Sequence, residues 1–347
     1  MTIRVFVMVT AVCCIGFGQS VWAKPGELAR HEFESKHMGT TFRIVLYAPD
    51  KPTAERASKA AFARVAELDT IMSDYNAESE LMRLCKANDA APGKPIPISR
   101  DLFEVLEKGQ AVAKASDGAF DMTVGPLVKL WRLSRRTQRL PDAKELADAK
   151  QLVGYDKVTL DATARTVALK VPGMRLDLGG IAKGYAADEA LLLLKDKFQI
   201  SRALVAAYGD ITCGDAPPDA DGWVVDIAPI SKSQKPRTLK LVNQAVSTSG
   251  DLEQFVEIGG VRYSHVLDPK TGLGLTGRRS ATVIAKKGIQ ADSLTKAASV
   301  LPPDKALALI AATDGAATSI VVKENDDTPE RVTASKRFAQ FLAPDRR

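Results

Sequence analysis

Three segments of this chain carry residue types and spacings suited to holding a charged ligand. They are Leu176-Asp177-Leu178-Gly179-Gly180-Ile181-Ala182-Lys183-Gly184-Tyr185, Tyr263-Ser264-His265-Val266-Leu267-Asp268-Pro269-Lys270-Thr271-Gly272, and Ala291-Asp292-Ser293-Leu294-Thr295-Lys296. In the first, Met174 and Leu176 alternate with Arg175 as at a strand end, and a glycine pair leads into a helix. Glycines let the backbone approach a ligand, and a helix start turns free N–H groups and a positive dipole end toward anions. Lys183, in the first helical turn, reaches a phosphate; the bland alternative is a tight corner. In the third, Thr295 and Lys296 fall three and four residues after Asp292, on one helical face. A carboxylate and a hydroxyl there suit a hard ion such as Mg²⁺. The simpler reading is that Asp292 caps the helix and pairs with Lys296. In the second, His265 precedes a turn shaped by Pro269 and Gly272, where the plain alternative is a structural histidine on a strand. Nothing in the pattern makes Ser247, Ser249 or Ser264 a triad nucleophile.

The rest of the chain must position these groups. It has 347 residues, 45% hydrophobic and 26% charged, which gives a substantial core and is too charged for a multi-span membrane protein. Residues 1–23 read as a signal peptide: Arg4, an apolar run from Val5 to Phe17, then Val21-Trp22-Ala23 before a cut. Residues 24–347 then form one domain, exported to the periplasm. Removing the leader takes Cys13 and Cys14 with it and leaves Cys85 and Cys213, which either pair or stay apart as buried thiols. The formal charge is +6; without Arg4 it is 47 − 42 = +5. Acids and bases are interspersed with no basic run among aromatics, so nucleic acid is not expected as a partner.

Periodicity gives a strand pair from His31 to Tyr47 turning near Met38-Gly39-Thr40, and a helix from Ala54 to Met72. Further helices span Leu102–Ser116, Ala143–Leu152 and Ala182–Lys195, and another runs from about Asp292 to just before Pro302. A hairpin covers Lys157–Val171. Strands are expected at Ala203–Ala207, Trp223–Ala228, Thr238–Thr248, Ser280–Ala285 and Ser319–Lys323, with a loose polar tail from Glu324. Strands and helices mix without strict alternation, which indicates an α+β fold with a largely antiparallel sheet.

In order and spacing the three segments resemble the ApbE family of FAD:protein FMN transferases. The resemblance extends to Met38-Gly39-Thr40, Met72-Ser73-Asp74-Tyr75 with Ser79-Glu80-Leu81, Phe120-Asp121-Met122-Thr123-Val124-Gly125-Pro126-Leu127 with Trp131, and Ser247-Thr248-Ser249-Gly250-Asp251. It implies a tunnelling-type fold with an FAD cleft. Met38, Tyr75, Ala119, Phe120, Asp121, Asp177, Lys183 and Leu267 match positions lining the flavin. Gly180, Asp292 and Thr295 fall at or beside its Mg²⁺ site, and His265 is the motif histidine beside the cleft. Asp292 and His265 are the expected catalytic residues, Asp292 serving the metal and His265 or a nearby carboxylate assisting proton movement. The implied activity moves FMN from FAD to a Thr or Ser hydroxyl of an acceptor flavoprotein, releasing AMP; a membrane-anchored redox protein is a further expected partner. The alternatives are an FAD pyrophosphatase giving FMN and AMP, and a non-catalytic periplasmic flavin-binding protein. Two positions depart from the family pattern. Lys296 stands where relatives place Thr, and Tyr208, in Ala206-Ala207-Tyr208-Gly209-Asp210, stands where they place Gly.

Overall fold

The computed structural model describes residues 27–227, 229–230, 236–250, 254–324 and 328–344. The leader at 1–23, Ala228 and Asp251 lie outside the described residues. The chain opens with strands β1 (Ala29–His37) and β2 (Thr40–Ala48), paired as expected around Met38-Gly39, and continues into helix α1 (Lys51–Met72). Asp50 caps α1 by accepting a hydrogen bond from the Thr53 amide at 2.7 Å. Helix α2 (Glu80–Ala90), strand β3 (Ile96–Pro97) and helices α3 (Arg100–Ala115), α4 (Gly125–Thr137) and α5 (Ala143–Gln151) follow. The hairpin β4 (Val158–Asp161) and β5 (Thr166–Leu169) leads to helix α6 (Ala182–Phe198). Seven strands come next: β6 (Ala203–Ala207), β7 (Asp210–Cys213), β8 (Trp223–Ile227), β9 (Arg237–Leu241), β10 (Ala245–Gly250), β11 (Phe255–Ile258) and β12 (Val261–Asp268). The chain ends with β13 (Leu273–Thr276), β14 (Arg278–Ala285), helices α7 (Gly288–Val300) and α8 (Pro303–Ala311), and strands β15 (Ala317–Lys323) and β16 (Arg331–Ala334).

The main sheet has eight strands in the order β1-β2-β6-β7-β10-β14-β15-β16, every pairing antiparallel. The α+β reading therefore holds. Side chains alternate across this sheet with period two. Phe42, Ile44 and Leu46 of β2 face a core shared with α1 and α6, while Val45 joins Trp223, Leu239 and Phe338 on the other side. Cys85 sits in the first core and Cys213 in the second; both are free and buried. Of the two readings of these cysteines, the unpaired one is correct. Among the described residues, no helix is long and apolar enough to cross a membrane.

Three expectations need correction. The strand read as Thr238–Thr248 is two strands, broken where Asn243 takes a left-handed conformation (φ 50°) that Asn tolerates. The helix read from about Asp292 begins at Gly288, so Asp292 lies in its second turn and does not cap it. The tail is not loose throughout: Arg331–Ala334 pairs with β15, and Phe338 is 2% exposed, packed into the second core.

Candidate active site

The phosphate-binding candidate at 177–184 is built where three elements meet. The Asp177 amide donates to the Met122 carbonyl at 2.8 Å, which ties this segment to the 119–124 loop. Asp177 Oδ1 accepts from the Gly179 amide at 2.8 Å, folding the glycine pair into a tight turn before α6. Helix α7 crosses the start of α6 with almost no separation. A Cβ on Gly184 would lie 2.5 Å from the Gly288 carbonyl carbon and 2.9 Å from Asp292 Cβ. Only glycine permits this approach, and it brings Asp292 to the first turn of α6. The Gly184 amide donates to Asp292 Oδ2 at 3.2 Å, so a protein carboxylate takes one of the free N–H groups at that helix start.

Four charges converge there. Lys183 Nζ lies 2.9 Å from the Gly179 carbonyl, 3.3 Å from Asp210 Oδ2 and 3.9 Å from Asp292 Oδ2. Lys296 Nζ lies 3.3 Å from Asp292 Oδ1. Ser247, on β10, donates its hydroxyl to Asp210 Oδ1 at 2.6 Å. Burial works against charge on Lys183, but Asp292 and Asp210 outweigh it and hold its pKa above the usual value. Burial also opposes ionisation of Asp210, yet Lys183, Lys296 and Ser247 bring its pKa below the ordinary carboxylate range. Asp292, wholly buried, is pushed up by burial and then by Asp210, with the two lysines pulling the other way. The pair shares its cations unequally, as close carboxylates do.

His265 sits on β12 with its amide donating to the Gln254 carbonyl at 2.9 Å and Nδ1 3.2 Å from the same oxygen. That contact assigns the hydrogen to Nδ1 and leaves Nε2 as an acceptor. Burial, then the Lys296 charge, lower its pKa from 6.5 to about 4, so the ring is neutral at pH 7.

A second network borders the first. Arg132, on α4, donates to Asp74 Oδ2 at 2.6 Å and to Asp177 Oδ2 at 3.2 Å, and its guanidinium lies 4.2 Å from the centre of the Tyr75 ring. Tyr75 is 79% exposed, a ring offered to a flat partner. Arg132, Arg135 and Arg136 line an open groove of about 690 Å³, a volume in the range of ligand clefts. Sequence reasoning missed Arg132 and gave Asp210 no role. The signal for Arg132 was Pro126 just inside a helix start.

The remaining expected residues are placed as follows. Phe120 belongs with the charged group: its Cε2 lies 3.4 Å from where a Cβ on Gly180 would stand, and Ala119 beside it is buried. Asp121 accepts from the Thr123 amide and hydroxyl at 2.8 and 2.7 Å, bracing the loop. Met38 takes φ 49° in the β1–β2 turn, its amide donating to Asp69 Oδ2 at 2.9 Å. Leu267 packs with Trp131 and Tyr263 under the β11–β12–β13 sheet. Tyr208 takes φ 58° in the turn before Asp210 and is 40% exposed.

The donors expected to hold Mg²⁺ do not fit a divalent ion as they stand. Asp292 Oδ1, a buried oxygen that accepts no hydrogen bond, already faces the Lys296 ammonium. The Lys296 stem crosses Gly180, its Cγ 2.9 Å from the position of a Cβ there. The Thr295 hydroxyl is buried and lies 2.6 Å from the Ala291 carbonyl and 3.3 Å from that of Ser247. Among the described residues, no three His, Cys, Asp or Glu side chains converge as a metal site. A divalent ion and an ammonium about 4 Å apart repel by about 8 kcal/mol at an effective dielectric of 20.

Residues 38–320 match the sequence model of the ApbE family. A FAD:protein FMN transferase of Klebsiella pneumoniae (strain 342) is 31% identical over 312 residues, covering 88% of this chain and 94% of that one. One of Escherichia coli (strain K12) is 30% identical over 356 residues, covering 99% and 98%. Among solved structures, the flavin transferase ApbE of Vibrio cholerae superposes with a TM-score of 0.80 at 27% identity, over 91% of this chain and 100% of that chain. The apo flavinyl transferase ApbE of Pseudomonas stutzeri gives 0.79 at 30% identity, over 93% and 100%. Sequence, fold and the ordered motifs agree, and the chain belongs to the ApbE family.

Proposed function

We propose that this protein transfers FMN from FAD to a Thr or Ser hydroxyl of an acceptor flavoprotein and releases AMP. One observation carries the reading: Lys183 and Lys296 converge on the start of α6, behind the Gly179-Gly180 turn. A pyrophosphate laid across that turn meets two ammoniums and the positive end of a helix. Arg132 and the exposed Tyr75 ring, 4.2 Å apart, offer a flat, cationic wall for an aromatic end of the dinucleotide.

Phosphoryl transfer asks the protein mainly for positioning and charge stabilisation. The acceptor oxygen bonds to the FMN phosphorus. The bond from that phosphorus to the bridging oxygen breaks, and AMP leaves with the electron pair. His265 Nε2 accepts the hydrogen bond of the attacking hydroxyl and orients it; the proton passes on to water. With its pKa lowered to about 4, His265 is available as a neutral acceptor across the physiological range. Asp292 and Asp210 hold the two lysines in place. No step is assigned to Mg²⁺.

The reading is tested by incubating the protein with FAD and an acceptor domain bearing a Thr flavinylation motif. Covalent flavin on the acceptor, matched by AMP, supports it. FMN and AMP without acceptor labelling would assign a pyrophosphatase instead, and tight FAD binding with neither product a flavin-binding protein. We further propose that the leader at 1–23 exports the chain to the periplasm, where its acceptor belongs to a membrane-anchored redox protein. Cell fractionation with N-terminal sequencing checks the export.

A further inference from the structure

We propose that the Lys296 ammonium is the resident cation at Asp292, and that this protein binds no divalent metal ion there. The inference rests on the transferase reading for its substrate, but its observations are local. Asp292 is wholly buried, and only one of its oxygens accepts a hydrogen bond, from Gly184. The other, Oδ1, accepts no hydrogen bond and has the Lys296 ammonium at 3.3 Å. A buried carboxylate oxygen is satisfied by a donor, a metal or a cation, and here a side chain of the same helix face supplies the cation. Two carboxylates, Asp210 and Asp292, meet two ammoniums, Lys183 and Lys296, and the group is neutral before any ligand arrives. The stem of Lys296 also fills the space above Gly180, 2.9 Å from a Cβ built there. Mg²⁺ takes near-octahedral oxygen donors and sheds water reluctantly; a neutral pocket crossed by an aliphatic stem offers it neither charge nor room.

Lysine binds phosphate well as a point charge. With FAD bound, Lys183 and Lys296 face the two negative charges of the pyrophosphate. As the acceptor oxygen attacks, the total charge on phosphate oxygens grows from two to three when AMP departs as a dianion and the hydroxyl proton is released. The two ammoniums stabilise that growth, which is the work a divalent ion does in phosphoryl transfer.

The test measures metal directly. Mn²⁺ is titrated into the full-length mature protein, with and without FAD, and bound ion is counted by electron paramagnetic resonance. The wild type is expected to bind no stoichiometric Mn²⁺ in either state. Lys296→Thr is expected to gain one Mn²⁺ per chain, lost again when Asp292→Asn is added. One Mn²⁺ per wild-type chain that disappears in Asp292→Asn would overturn the proposal, and so would a folded Lys296→Thr protein that binds none. In the transfer assay, EDTA is expected to leave the wild type unchanged; loss of transfer in EDTA would count against the proposal. Lys296→Gln is expected to lower kcat by about 100-fold, and an unaltered kcat in that variant overturns the role at the pyrophosphate. If no condition gives transfer at all, the transferase reading falls, while the Mn²⁺ titration still decides the cation.

Discussion

Replacing Gly184 by alanine tests the geometry on which the whole site depends. The added Cβ would stand 2.5 Å from the Gly288 carbonyl carbon and closer still to its oxygen, where ordinary contact begins at 3.4 Å, so α6 and α7 must part by at least about 3.4 − 2.5 = 0.9 Å. Both contacts are backbone or the base of a buried carboxylate, so no flexible side chain can yield. Overpacking of this kind costs about 1–3 kcal/mol. The functional effect is larger than the stability effect, because the shift moves Asp292 and Lys296 away from Lys183. A displacement of about 1 Å between catalytic groups costs about 100-fold in rate. Urea denaturation and FMN transfer to an acceptor domain read the two quantities. Gly288→Ala meets the Gly184 carbonyl oxygen at 2.5 Å from the opposite side and behaves alike. Once one substitution has parted the helices the second adds little, so the double variant loses less than the sum. A Gly184→Ala variant as stable and as active as its parent would refute the argument that these two helices must touch.

Three further outcomes are expected. Arg132→Ala releases Asp74, Asp177 and the Tyr75 ring together and weakens FAD binding about tenfold, as for loss of a charge-assisted hydrogen bond; flavin fluorescence titration measures it, and unchanged affinity would remove Arg132 from the site. His265 is held at about 4 in the folded protein against 6.5 ordinarily, so between those values the unfolded chain binds more protons. Its contribution to stability therefore rises with pH from about 4 to 6.5 and is level above; His265→Gln flattens that segment of the denaturation profile, and an identical profile would contradict the burial argument. Phe338→Ala empties a buried position against Trp223 and Leu239 and costs about 3–5 kcal/mol; a loss under about 1 kcal/mol would restore the reading of a loose tail.

What the sequence made legible was periodic or local. The α1 face through Ala61, Val65 and Leu68, the β1–β2 turn, and the glycine turn into α6 are all short-range patterns, and each stands where expected. What it hid was long-range. The start of α7 carried no capping side chain of its own: the Gly288 and Ile289 amides donate at 2.6 and 3.0 Å to Asp188, a hundred residues earlier in α6. Helix α4 was obscured by Gly125-Pro126, which reads as a breaker in isolation and is a first-turn proline in fact. The pairing of Asp292 with Lys296 followed from spacing alone. That Asp210 and Lys183 complete a four-charge group did not, since it requires β7 beside β10, α6 against β7 and α7 against β10. Lys296 was visible as a departure from the family pattern, but only its position over Gly180 shows why it competes with a metal.

The most direct test of the central claim is a stoichiometric one. Protein, FAD and acceptor domain are mixed with Mg²⁺ and, separately, with EDTA, and intact mass of the acceptor is followed alongside AMP. The account predicts one FMN added per acceptor for each AMP released, abolished when the acceptor hydroxyl is removed. AMP released without mass gain on the acceptor, or no AMP at all from a chain that binds FAD tightly, would contradict it.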